Sequence, residues 1–192
     1  AISIKTGKTT SGNSGSISMV SGDAKGGAGG KVKIQVGKSA VGIGSPVTIN
    51  AGDSVDNLGG NVIMRSGTST AGSSGDVSIL TAGAGSAGVS GKLTFSTGTA
   101  TDGNSGAIAI KSGNSDAGSG GAINIAVGDG TGAAGGDLTM QAGVSSDLIG
   151  GNVKLTSGKG TATTSGAITI QSADGGTAGN SGDVSVKSGS AT

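Results

Sequence analysis

Residues 15–22 read Gly15-Ser16-Ile17-Ser18-Met19-Val20-Ser21-Gly22, and residues 30–37 read Gly30-Lys31-Val32-Lys33-Ile34-Gln35-Val36-Gly37. Both stretches place two apolar side chains two positions apart between polar ones. A spacing of two is the signature of one face of a β-strand. The same motif occurs thirteen times, as Ile2/Ile4, Ile17/Met19, Val32/Ile34, Val47/Ile49, Val62/Met64, Val77/Ile79, Leu93/Phe95, Ile108/Ile110, Ile123/Ile125, Leu138/Met140, Val153/Leu155, Ile168/Ile170 and Val184/Val186. Successive pairs are fifteen residues apart, with two intervals of sixteen. Every Met and the one Phe stand second in a pair. A strand motif at a fixed long period predicts an all-β parallel β-solenoid of about thirteen rungs, with the pairs as its core ladder.

Each rung reads Gly, polar, apolar, polar, apolar, polar, small, Gly, then a variable stretch rich in small residues. Position eight is glycine at Gly22, Gly37, Gly52, Gly67, Gly98, Gly113, Gly128, Gly143, Gly158 and Gly189. A corner with positive φ would ask for glycine there, because a Cβ is strained in that conformation. The back half has no steady apolar pair. Ile43, Leu58, Val89 and Ile149 are its best candidates for inward side chains, on a short second strand or an arched turn. With rungs about 4.8 Å apart, the expected solenoid is a rod about 60 Å long.

A longer period runs through the short one. The two sixteen-residue rungs begin at Gly75 and Gly166, 91 residues apart. Off-pattern residues coincide at the same offset. Val36 and Val127 are the valines at the small corner position, Asp56 with Leu58 matches Asp147 with Ile149, and Gly60-Asn61-Val62 matches Gly151-Asn152-Val153. This predicts a duplicated six-rung module, at 1–91 and 92–182, with 183–192 opening a third, all within one uncapped array over 1–192. Ala1 enters at position two of a rung and Thr192 leaves at position eleven. Solenoid ends expose strand edges that need covers, so the expectation is a window of a longer array or ends covered by neighbouring copies.

Composition removes several functions. The 192 residues include 44 glycines and one proline, Pro46, with no Trp, Tyr, Cys or His. Glycine at every third residue is absent, which excludes collagen. A linker has no reason to keep Val and Ile in phase, which argues against disorder. The formal charge of +1 comes from scattered Lys and Asp, so no basic field exists for nucleic acid or anionic lipid. Stacking on bases needs aromatics, and Phe95 stands in the core phase. No apolar run is long enough to insert across a membrane, and no segment reads as a signal peptide. Asn13, Asn104 and Asn180 are each followed by Ser-Gly, which is not a glycosylation sequon.

Without His or Cys the usual general bases and thiol nucleophiles are missing, and no cleft-forming insertion surrounds any Lys–Ser or Asp–Asp combination. The reading is therefore not an enzyme, with no cofactor, catalytic or metal site. Gly26-Gly27-Ala28-Gly29-Gly30 and Gly83-Ala84-Gly85 lack the Gly-Lys-Ser/Thr ending of a phosphate loop. Two alternatives stay open. Asp23, Asp53, Asp129 and Asp174 follow the strand-end glycine or alanine, as in a calcium-binding β-roll, although the G-G-x-G-x-D nonapeptide never appears. An ice-binding β-helix would carry a threonine ladder. The outward column here reads Ser3, Ser18, Lys33, Thr48, Ile63, Ser78, Thr94, Ala109, Asn124, Thr139, Lys154, Thr169 and Ser185.

The whole chain resembles the glycine-rich parallel β-solenoid repeat proteins of extracellular fibres and surface adhesins, a resemblance of architecture. It implies a structural protein of the cell exterior: a stiff filament or stalk built by continuous stacking, or an adhesin. The partner it implies is the chain itself, by end-to-end continuation or as a homopolymer. The many hydroxyls do not decide whether O-linked glycans are attached.

Overall fold

The computed structural model of the chain describes residues 2–190. Among them there is no helix and no strand, and this overturns the expected all-β solenoid. Consecutive repeats form no hydrogen-bonded ladder. The backbone–backbone bonds among the described residues are six, each closing a segment of nine residues or fewer. The period of fifteen is nevertheless fully expressed in the backbone, by loops.

The backbone bends sharply at residues 10–12, 25–27, 40–42, 55–57, 70–72 and 86–87, and again at 101–103, 116–118, 131–133, 146–148, 161–163 and 177–179. Each bend lies in the variable half of a repeat. It carries the chain back to a neck, where the glycine that opens the next repeat meets the small residue at position seven. A Cβ on Gly30 would stand 3.4 Å from Ser21 Cβ, one on Gly121 3.5 Å from Ser112 Cβ, and one on Gly151 3.3 Å from Ala142 Cβ. The two segments are thus in van der Waals contact at the neck. In four necks the contact includes a hydrogen bond: the amides of Gly60, Gly75, Gly151 and Gly166 donate to the carbonyls of Gly52, Gly67, Gly143 and Gly158 at 2.8–3.0 Å.

The necks explain why the sequence pattern does not become a solenoid. A solenoid spends its back half returning to a point above the start of the same strand, so that strand stacks on strand. Here the back half returns to the end of its own front segment and closes there. The six polar–apolar residues that follow lead on to the next neck without turning over the previous segment.

The expected core ladder is correspondingly missing, and no described residue is buried. The first members of the pairs, Ile2, Ile17, Val32, Val47, Val62, Val77, Leu93, Ile108, Ile123, Leu138, Val153, Ile168 and Val184, are exposed instead of inward and covered. The second members, Ile4, Met19, Ile34, Ile49, Met64, Ile79, Phe95, Ile110, Ile125, Met140, Leu155, Ile170 and Val186, are exposed as well. The physical reason is the same for all twenty-six: a side chain on one face of a segment is buried only when a second segment lies over that face, and no repeat here lies over another. Ile43, Leu58, Val89 and Ile149, expected to point inward from the back half, project from the loops at more than nine-tenths exposure.

The accessible surface is 19082 Å². A compact monomer of this mass would expose about 7,900 Å² and a fully unfolded chain about 25,000 Å². The best-covered side chains are the neck residues Ser21, Ala51, Ser66, Ala142, Ser157 and Ser172, which are half-buried. The contacts group into two units, Ala1–Phe95 and Ser96–Thr192. Each carries six of the loops.

Candidate self-association surface

Of the ten corner glycines, Gly22, Gly37, Gly52, Gly67, Gly98, Gly113, Gly128, Gly143 and Gly158 stand at the start of loops, and the loop expected after Gly189 lies outside the described residues. None of them has positive φ, and a Cβ on any of them would meet nothing within 4 Å. The expectation that position eight turns a left-handed corner is therefore corrected: the turn is made three to five residues later. Positive φ occurs at Gly12 (79°) and Gly42 (90°), inside the bends. There Thr9 Oγ1 donates to the carbonyls of Ser11 and Gly12 at 3.1 and 2.9 Å, and Ser39 Oγ to that of Val41 at 2.9 Å.

Position ten organises the loop, and sequence reading passed over it as variable. At four of its serines the hydroxyl staples the bend by accepting an amide three residues on: Asn57 to Ser54, Gly72 to Ser69, Gly118 to Ser115 and Leu148 to Ser145, at 2.9–3.0 Å. Such Ser turns replace a backbone bond locally. Where position ten is glycine, the returning backbone comes so close that a Cβ could not fit. One on Gly160 would collide with the carbonyl oxygens of Thr163 and Thr164, and one on Gly175 with that of Gly179. The signal lay in the sequence: the column Thr9, Ala24, Ser39, Ser54, Ser69, Ala84, Ala100, Ser115, Gly130, Ser145, Gly160, Gly175 contains nothing larger than threonine.

The paired apolar residues form a comb instead of a core. The first member of most pairs is about half exposed, as at Leu93 (48%), and the second more so, as at Ile110 (74%). Val36 and Val127, whose side chains lie at necks, are the least exposed of the large apolar residues at 39% and 44%. The polar residues between the paired apolar ones, such as Lys33 and Thr48, are exposed as well. Fully burying one of the apolar side chains is worth about 1.5–3 kcal/mol, and much of that remains unrealised at every tooth of the comb.

No cavity and no cluster of three or more metal-ligating side chains occurs among the described residues. Asp23, Asp53, Asp129 and Asp174 stand one residue beyond the loop entrance in four separate repeats. No helix among the described residues is long and apolar enough to cross a membrane. Compared with protein families, curated proteins and solved structures, the chain matches none.

Proposed function

We propose that this chain is a structural protein of the cell exterior, whose copies associate into a filament or stalk. The observation that carries the reading is the comb. Twenty-six apolar side chains recur at one spacing, and none of them is buried within the chain. A soluble monomer seldom exposes a contiguous apolar patch above a few hundred Å² without a partner for it. A chain that carries an uncovered apolar period is suited to association along its length, where every repeat adds the same increment.

The remaining surface fits an inert material. It is rich in Ser, Thr, Asn and Gly, carries a formal charge of +1, and has neither His nor Cys for catalysis or disulfide exchange. Low net charge leaves little repulsion between copies. Electron microscopy of the purified full-length chain tests the proposal. Continuous filaments with an axial repeat that does not change with preparation are the expected result. A chain that stays monomeric by sedimentation up to millimolar concentration would sink it.

A further inference from the structure

The isolated chain carries the same off-pattern details twice. Its six backbone hydrogen bonds fall into three pairs whose residue numbers differ by 91: Gly60–Gly52 with Gly151–Gly143, Gly75–Gly67 with Gly166–Gly158, and Gly88–Gly85 with Gly179–Gly176. The last pair belongs to the tight turns at 86–87 and 177–178, where the sixteenth residue of the long repeats is absorbed. The serine staples at Ser54 and Ser145 are also 91 apart, as are the partly covered valines Val36 and Val127. The duplicated sequence thus repeats its loop shapes, so each half offers a neighbour the same surface.

We infer that the comb is a self-docking surface on which parallel copies associate laterally with a half-chain stagger, the first unit of one copy lying along the second unit of the next. The inference rests on the proposed filament and supplies its contact. A second copy is the occupant because the comb recurs at fifteen residues throughout, and a partner must present that period over the same length to cover it. This chain presents it. The area is ample: the chain exposes 19082 Å², about 11,000 Å² more than a compact monomer of its mass, whereas a stable obligate interface uses about 2,000–5,000 Å².

The stagger follows from register. Among shifts by whole repeats, zero and six alone avoid setting a sixteen-residue loop against a fifteen-residue one, and an unshifted pair adds no length, so a filament takes six. A shift of 91 brings the loop lengths, the six backbone hydrogen bonds, the comb and the Ser54 and Ser145 staples into coincidence. Such a contact is heterologous, so each added copy leaves a fresh half exposed for the next.

The test uses two full-length triple variants. One carries Ile17→Asp, Val47→Asp and Val77→Asp; the other carries Ile108→Asp, Leu138→Asp and Ile168→Asp, the positions 91 residues on. Sedimentation velocity reads the species formed. With a half-chain stagger each variant alone is monomeric, and an equimolar mixture gives discrete dimers containing one of each. If each variant alone gives dimers and mixing adds nothing, copies pair without stagger and the inference is wrong. If both assemble like the unaltered chain, the comb is not the contact and the inference is equally wrong. Ser18→Asp, Thr48→Asp and Ser78→Asp place the same charges beside the comb, and that variant is expected to assemble normally. An unaltered chain that remains monomeric overturns the filament itself, a result separable from all the others.

Discussion

At the scale of single residues, the glycines of this chain divide into those that space requires and those that it does not. Gly158 has open surroundings, whereas a Cβ on Gly160, two residues later, would strike the carbonyls of Thr163 and Thr164. Gly160→Ala is therefore expected to shift the backbone resonances throughout 157–166 and to weaken the amide bond from Gly166 to Gly158. Gly158→Ala should perturb its immediate neighbours alone. Heteronuclear spectra of the two variants decide this, and equal perturbation would contradict the close approach. Gly136 is similar, since its Cβ would stand 2.9 Å from Val127 Cγ1. The period named Gly158 but assigned it the wrong task, and it passed over Gly160 as variable. A period shows that a position excludes side chains; whether the reason is a left-handed φ or a neighbouring backbone is decided by which segments meet.

At the scale of the loop, one hydroxyl stands in for a backbone bond. Ser145→Ala removes the acceptor for the Leu148 amide while leaving the 52–60 loop and its Ser54 staple intact. A hydrogen bond of this kind contributes about 0.5–1.5 kcal/mol, and its full exposure places it at the low end. The Leu148 amide should gain a stronger temperature dependence of its proton shift and faster exchange, by a factor of roughly 2–5 for that energy. The amide of Asn57 should not change. The positions of the loops were legible in the sequence, because Gly, Ser and Asn cluster there at each period. Their closure was not legible: a neck depends on contact between position seven and a glycine nine residues later, and neither is apolar or charged enough to announce it. Ile17 and Met19 illustrate the complementary failure. Their spacing predicted one face of a strand in a covered core, but a spacing has no partner written into it, and the structure forms no strand there and leaves both side chains exposed.

At the scale of the whole molecule, the charges report on assembly. All twelve Lys and Arg residues lie at exposed positions, so trypsin should cleave the dispersed chain readily throughout. Filaments should be cleaved far more slowly if the comb is covered, because docking orders the segments that carry Lys33, Arg65 and Lys154. A gel time course on both forms measures this, and identical rates would argue that association leaves the segments free. Since apolar contact is strengthened by sulfate and the formal charge is only +1, ammonium sulfate should lower the concentration at which filaments appear. Suppression by salt would point instead to charge pairing between copies.

The closed necks also set how the chain answers a pull. A loop such as 52–60 stores eight peptide units behind one exposed hydrogen bond, and opening it releases about 20 Å of chain. Because each neck is weak and each loop is independent, tension would undo them one after another and reclose them on release. A strand of such loops yields before it breaks, so its toughness lies in length held in reserve.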